Sequence, residues 1–188
     1  MSCRIPSMNM SECISWATTK PPKIVKLVGK TIRSQTKEKE LSERKWGNSM
    51  IGQVNNGQWT TRLGEELVYT ILKQRGENPI KVTKKNGFQP DWETDNYIYE
   101  VKTSNWWVSG TAGEKVLGTW IKYQHVPKLY GKPLRIVCIA NQEYELEYGK
   151  IKYFGDNVTP ETTQVLDLAK SWDITYVRFS DMVNTFNN

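Results

Sequence analysis

Histidine and cysteine are scarce in this chain of 188 residues, which contains one histidine and three cysteines. The cysteines (Cys3, Cys13 and Cys138) do not form an even-numbered set, and Cys138 lies in the apolar run IVCIA, as a buried small hydrophobe would. We therefore expect a reducing compartment and no disulfide framework. A zinc site is not expected either, because His125 is the single histidine and no close Cys/His pair accompanies it.

Long apolar runs are also missing. No stretch approaches the roughly 18 apolar residues that are needed to cross a bilayer. The first residues lack the hydrophobic segment of a signal peptide. These absences predict a soluble, intracellular protein of the cytoplasm without a membrane partner. The length is sufficient for one domain of ordinary size with its own hydrophobic core.

Basic residues are in excess, with 26 Lys and Arg against 20 Asp and Glu, but the excess is confined to one part of the chain. Residues 1–50 carry ten basic and four acidic side chains, a net charge of +6, whereas residues 51–188 carry sixteen of each. A basic segment on a neutral body favours a polyanionic partner, because counterions released from phosphates drive such binding. The alternative is a solvated tail that contacts nothing. We divide the chain into a basic N-terminal arm, residues 1–45, and a body, residues 46–188.

The apolar pattern of the body predicts alternating helices and strands after a loop at 46–59 that is rich in Gly and Asn. A helix capped by Thr60 or Thr61 should run to about Gln74, because its apolar residues fall on one side. Next we expect strands at 79–85, 91–94 and 97–103, a helical stretch at 113–125 and a continuously apolar buried strand at 133–140. The remaining elements are a hairpin at 144–155, a helix from Pro160 to Ser171 and a strand at 174–179. This order indicates an α/β fold.

The stretch PDWETDNYIYEVKTS (residues 90–104) places two acids and a lysine where they could form a catalytic site. Side chains alternate along a strand, so Glu100 and Lys102 share one face while Val101 points the other way. A tight turn after Asp91 would bring its carboxylate beside Glu100. Two carboxylates at that range repel each other unless a cation lies between them, and oxygen ligands with open water positions suit Mg²⁺. The Lys102 ammonium would then orient and polarise an attacking water for hydrolysis of a phosphodiester.

Pro90-Asp91 followed by Glu100-Val101-Lys102 resembles the signature of the PD-(D/E)xK nuclease superfamily. The order of elements between residues 60 and 140 is similar to the α-β-β-β-α-β core of that superfamily, and GEELVYTIL resembles its first helix. The stretch from Gly110 to Val137 further resembles small type II restriction endonucleases. The resemblance covers about 80 of the 188 residues and does not extend to the first 45.

The resemblance implies a restriction-endonuclease-like core, in which helices flank a mixed central sheet, here with a basic N-terminal extension. It implies hydrolysis of double-stranded DNA with Mg²⁺ as cofactor, for which Mn²⁺ would substitute, by a homodimer that cuts a palindrome. Asp91 and Glu100 would hold the metal together with the carbonyl of Val101. An acid of the first helix would complete the site, with Glu65 as the first choice and Glu66 as the alternative.

Several residues after the motif are candidates for DNA contacts. In this superfamily the region after the site commonly faces DNA, so Lys115, Lys122 and Lys128 are expected to contact phosphates. Trp106 and Trp107 would either stack on bases or pack in the core or a dimer interface. From its excess of positive charge, we expect the basic arm to clamp the DNA and leave the chemistry to the body.

Other interpretations stay open at the level of sequence. Glu93 lies on the same face as Asp91 and is either a ligand or a solvated strand charge, and His125 is expected to be structural or a DNA contact. The motif itself has a bland alternative, which is a surface hairpin with a weak ion pair. A structure-selective resolvase or repair endonuclease is the alternative function, and a DNA-binding protein without cleavage is another. All four site residues (Asp91, Glu100, Lys102 and Glu65) are present, which favours an active enzyme.

Overall fold

The computed structural model describes residues 8–54, 57–107 and 116–185. The helices are α1 (Met10–Thr18), α2 (Ile32–Met50), α3 (Trp59–Gln74), α4 (Thr119–Lys122), α5 (Val126–Tyr130), α6 (Asn141–Tyr148), α7 (Pro160–Ser171) and α8 (Phe179–Asn184). The strands are β1 (Ile80–Lys81), β2 (Trp92–Glu93), β3 (Ile98–Ser104), β4 (Leu134–Ala140) and β5 (Ile174–Arg178). No helix in these three segments is both long and apolar enough to cross a membrane.

The strands of the described residues form one mixed sheet in the order β1-β2-β3-β4-β5. The pairs β1–β2 and β2–β3 are antiparallel, whereas β4 and β5 run parallel to β3. Parallel neighbours need long crossovers, and helices lie in both connections: α4 and α5 between β3 and β4, and α6 and α7 between β4 and β5. The chain therefore has a mixed α/β fold with a five-stranded sheet flanked by helices, which confirms the predicted fold class.

Side chains alternate across the sheet and bury a hydrophobic layer on each face. On one face, Tyr99 and Val101 of β3 pack with α1, α3 and α8. On the other face, Ile98 of β3 packs with residues of α4, α5, α6 and α7. β4 is buried on both sides, as its uninterrupted apolar sequence predicts: Val137 and Ile139 lie in the first layer, and Ile136 and Cys138 in the second.

The hairpin predicted at residues 144–155 is wrong, because α6 covers residues 141–148. Alternation of Tyr with Glu and Leu suits a strand, but Glu and Leu are also strong helix formers. Two long-range contacts accompany the helix. Leu146 is buried in the second hydrophobic layer, and the Glu143 carboxylate accepts hydrogen bonds from the amide and hydroxyl of Ser180.

Other boundaries also differ from the sequence prediction, and the strand predicted at 79–85 is limited to Ile80–Lys81. The loop predicted at 46–59 is shorter, because α2 extends to Met50 and α3 begins at Trp59. The helical stretch predicted at 113–125 begins outside the described residues, and its described part contains the short helix α4, after which a second short helix, α5, begins at Val126. Pro127 stands at the start of α5, where proline is tolerated, and it lacks the N–H that would continue α4 into α5.

The described part of the basic segment 1–45 packs against the body. Cys13 and Ala17 of α1 are buried in the layer formed by α3 and the sheet. α2 packs closely on α3, since a side chain at Gly47 would collide with the Trp59 ring. The boundary predicted at residue 45 falls inside α2, so α1 and α2 are integrated with the body through long-range apolar contacts.

Close approach between α3 and β3 predicts a strong effect of one glycine substitution. A Cβ at Gly64 would overlap the Thr103 hydroxyl and lie 3.3 Å from Val101 Cγ1. Alanine usually stabilises a helix interior relative to glycine, but here overpacking should outweigh this gain, so Gly64→Ala should lower the free energy of unfolding by about 1–3 kcal/mol.

Urea denaturation measures this change. The matched control is Gly118→Ala, where φ is −87° and a Cβ would meet no atom within 4 Å. Equal midpoints for the Gly64 variant and the wild-type protein would contradict the packing of α3 on β3.

Candidate active site

The β2–β3 hairpin places Asp91 next to Glu100. Trp92 pairs with Tyr99 and Glu93 with Ile98, so one further step of this antiparallel register sets Asp91 opposite Glu100. Residues directly opposite each other in an antiparallel pair have side chains on the same face. The sequence prediction that the hairpin would bring the two carboxylates together agrees with this geometry.

Asp91 lies immediately before the first residue of β2 and is held by two backbone contacts to β3. Its amide donates to the Tyr99 carbonyl at 2.9 Å, and its Oδ2 accepts a hydrogen bond of 2.7 Å from the Val101 amide. In an extended strand the N–H and C=O of one residue point to the same edge. The Val101 carbonyl therefore faces the edge on which the Asp91 carboxylate lies, which is where the resemblance would require a third metal ligand.

The environment of Asp91 disfavours its charge. Burial raises the pKa of Asp91 to about 7, and the nearby carboxylates of Glu100 and Glu65 add to this, against the opposing hydrogen bond from the Val101 amide. A carboxylate that is protonated near neutral pH is characteristic of sites that bind cations or transfer protons.

Glu100 is buried, with an exposed fraction of 5 %. Its Oε1 accepts hydrogen bonds from Lys102 Nζ at 2.5 Å and from the Tyr123 hydroxyl at 3.0 Å. Among the described residues, its Oε2 is buried without a hydrogen-bond partner. A buried carboxylate oxygen without a donor is costly, and a cation would satisfy it. This burial disagrees with the bland alternative of a surface hairpin.

Glu65 of α3 also lies near Asp91. Its Oε2 lies 2.5 Å from Lys81 Nζ, and its backbone carbonyl accepts a hydrogen bond of 2.9 Å from Trp92 Nε1. The latter bond ties α3 to β2 directly beside Asp91. Glu65 is thus close enough to raise the pKa of Asp91, but its carboxylate is directed to a lysine.

A divalent cation fits the Asp91–Glu100 pair, as the unpartnered Glu100 oxygen and the raised pKa of Asp91 indicate. The fit is limited to two carboxylates, because the described residues contain no group of three His, Cys, Asp or Glu arranged to hold a metal ion. The further ligands would be the Val101 carbonyl and water. Mg²⁺ commonly keeps several waters and binds through one or two carboxylates.

The lysines predicted to contact DNA, and Glu93, are the next candidates from the sequence. Lys122 and Lys128 are exposed on α4 and α5, and Lys122 Nζ lies 4.9 Å from the centre of the Tyr123 ring. Lys115 lies outside the described residues. Glu93 pairs with Lys132 at 2.7 Å, which favours its interpretation as a strand charge rather than a ligand.

The other candidates of the following region have structural contacts. His125 is the N-cap residue of α5, and its carbonyl accepts from the Leu129 amide. Trp106 packs against the first hydrophobic layer and donates from Nε1 to the Trp16 carbonyl at 2.8 Å. Both observations agree with the packing alternatives that the sequence left open.

Tyr123 is a residue of the site that the sequence did not indicate. Burial and the charge of Glu100 raise the pKa of the Tyr123 hydroxyl, so this hydroxyl stays protonated and donates to Glu100. The contact joins residues that are 23 positions apart, across the crossover from β3 to β4. No local spacing in the sequence indicates such a pair.

The raised pKa of Asp91 predicts how the metal-free protein responds to pH. In the unfolded chain Asp91 titrates near its ordinary value of 3.8, whereas in the fold the proton is retained up to about pH 7. Stability therefore falls as pH rises between these two values, and the loss is complete above the higher one. Asp91→Asn should remove this loss and raise the free energy of unfolding by about 2 kcal/mol at pH 8, with little change at pH 4.

Urea denaturation in EDTA at both pH values measures the effect. Asp167→Asn, on the exposed surface of α7, is the control and should change neither value by more than about 0.5 kcal/mol. A destabilised Asp91→Asn protein at pH 8 would show that Asp91 is not under repulsion.

Comparison with protein-family models, with curated proteins and with solved structures finds no significant match to this chain. The function is therefore inferred from the geometry of the site and from the motif itself.

Proposed function

We propose that this protein is a Mg²⁺-dependent endodeoxyribonuclease that hydrolyses phosphodiester bonds of double-stranded DNA. The observation that carries the proposal is the buried pair Asp91 and Glu100, with Lys102 bound to Glu100 and one Glu100 oxygen lacking a partner among the described residues. An ion pair that served stability alone would leave no such oxygen.

The metal ligands of the proposal are Asp91, Glu100 and the Val101 carbonyl, with Glu65 as a further acid that would have to turn from Lys81. When bound, Mg²⁺ would neutralise charge on the scissile phosphate and lower the pKa of a bound water. Once turned from Lys81, the Glu65 carboxylate would add negative charge beside Asp91 that favours cation binding.

We assign to Lys102 the role of positioning the water that attacks the phosphate. Its ammonium has three donors, and within the described residues one of them is used for Glu100. The others are available to orient a water and to stabilise charge on the phosphate as it is attacked. Tyr123 holds the shared Glu100 oxygen from the other side, which fixes the carboxylate and so positions Lys102.

A restriction-endonuclease-like core is the finer fold proposal. In support, the described elements from α3 through β1, β2, β3 and the α4–α5 crossover to β4 follow the α-β-β-β-α-β order. Glu100 and Lys102 lie on the third strand of that order, and Asp91 immediately precedes the second strand. A sequence-specific type II restriction endonuclease acting as a homodimer is the finer functional proposal, and it rests on the sequence resemblance.

Incubation of the purified protein with supercoiled plasmid and with genomic DNA, with and without Mg²⁺, tests the function. Discrete bands that depend on Mg²⁺ are the expected result. A smear would indicate a nonspecific nuclease, and cleavage limited to branched DNA a resolvase. Intact DNA with a shifted mobility would contradict hydrolysis and indicate a DNA-binding protein.

A further inference from the structure

A groove beside the end of β3 is lined with tryptophan. It has a volume of about 590 Å³ and lies between α1, the segment 19–27, α2 and the turn that follows β3. Trp16, Trp46, Trp106 and Trp107 line it, and we call it the tryptophan groove. Pockets of roughly 300–1,000 Å³ with aromatic walls are typical binding sites for small organic groups.

The walls of the tryptophan groove are held in place by a buried carboxylate. Glu43 of α2 accepts hydrogen bonds from Trp16 Nε1 at 2.8 Å and from the Trp106 amide at 2.9 Å. The rings of Trp16 and Trp46 lie 5.4 Å apart, and Trp59 supports both from the core. The aromatic rings are thus held by contacts within the protein, and the Glu43 oxygens are engaged with donors of the protein.

Gln35 contributes a polar group that has no use within the described fold. Its side chain lines the groove with an exposed fraction of 6 %, and its Nε2 is buried without a hydrogen-bond partner among the described residues. A buried amide donor without an acceptor is costly. The groove therefore suits a ligand that brings a hydrogen-bond acceptor into it.

The rim of the tryptophan groove is positively charged. Lys23 and Lys39 line it and are exposed, and within the described segments neither takes part in an ion pair. The ligand should then combine a flat aromatic group, an acceptor in its plane and a negative charge outside the groove. A nucleotide has all three: a base that stacks on tryptophan, base oxygens and nitrogens that accept, and a phosphate.

The groove lies close to the candidate active site along β3. Trp106 follows Lys102 by four residues, so their Cα atoms are at most about 14 Å apart. A base that remains stacked in a duplex cannot insert between protein side chains. We infer that the tryptophan groove binds an unstacked base of a DNA strand a few nucleotides from the phosphate at Lys102, with Gln35 donating to the base. The choice of DNA rests on the proposed function.

Binding without cleavage tests this inference. The full chain is titrated in EDTA with a single-stranded oligonucleotide that carries one 2-aminopurine, whose fluorescence falls when it stacks on tryptophan. Gln35→Leu should weaken binding about five- to tenfold because one hydrogen bond is lost. Trp107→Leu should weaken binding about tenfold and reduce the quenching, because a stacking surface is lost.

Gln142→Leu is the matched control. Gln142 on α6 is also buried, with an exposed fraction of 5 % and an Nε2 that has no partner among the described residues, but it does not line the groove. Replacing either glutamine should preserve or raise the free energy of unfolding, since each change removes an unsatisfied donor. Only the Gln35 variant should bind the oligonucleotide less tightly.

Two results would overturn the inference. One is equal affinity of the Gln35→Leu and Gln142→Leu proteins for the oligonucleotide. The other is binding of a free mononucleotide, such as dTMP, as tight as that of the oligonucleotide, which would identify a site for free nucleotides. Because the assay contains no metal, a protein that binds the strand in this way yet never cuts plasmid with Mg²⁺ would contradict only the nuclease proposal.

Discussion

Asp91→Asn and Glu100→Gln should each reduce Mg²⁺-dependent cleavage of DNA by roughly a thousandfold or more, because each removes one of the two adjacent carboxylates of the proposed metal site. Folding should be retained, since both replacements keep the shape of the side chain and an oxygen that accepts the same hydrogen bonds. DNA binding should be unchanged or tighter, because removing negative charge near phosphates relieves repulsion.

The experiment compares initial rates of plasmid cleavage at saturating Mg²⁺ with gel-shift affinities measured in Ca²⁺ or EDTA. Glu93→Gln is the matched control, since Glu93 is a carboxylate on β2 that is already paired with Lys132. It should retain the wild-type rate within about threefold. Near wild-type cleavage by either site variant would remove that residue from the mechanism.

Lys102→Ala should lower the cleavage rate by roughly three orders of magnitude and leave the Mg²⁺ concentration for half-maximal rate unchanged or lower. The ammonium acts on water and phosphate, so its loss should affect the turnover rate. Removing a positive charge beside the carboxylates should not weaken cation binding. A purely structural lysine would change stability and leave the rate of the folded protein intact.

Lys132→Ala provides the comparison for an ion pair without a catalytic role, because Lys132 Nζ lies 2.7 Å from the Glu93 carboxylate and also donates to the Thr94 carbonyl. Lys102→Gln serves as a second variant if alanine prevents folding, since glutamine keeps one donor for Glu100. If a folded Lys102 variant cleaves DNA as fast as the Lys132 variant, Lys102 forms only a structural ion pair and has no catalytic role.

The sequence by itself determined the elements whose signal is local. The spacing of apolar residues predicts α3, the continuous apolar run predicts the buried β4, and the alternation of β3 sets Glu100 and Lys102 on one face. The short connection between β2 and β3 also restricts the register, so the approach of Asp91 to Glu100 could be expected. These features follow from the periodicity of helices and strands, which does not depend on distant residues.

Only the tertiary structure decided which distant groups meet. Tyr123 reaches Glu100 across a crossover, Glu65 turns to Lys81, and α6 replaces a predicted hairpin beside Ser180. The integration of α1 and α2 into the core, and with it the tryptophan groove, has the same origin: Trp16 and Trp106 are 90 positions apart. Local periodicity reports which face of an element is buried, but the partner on that face is selected by the packing of the whole chain.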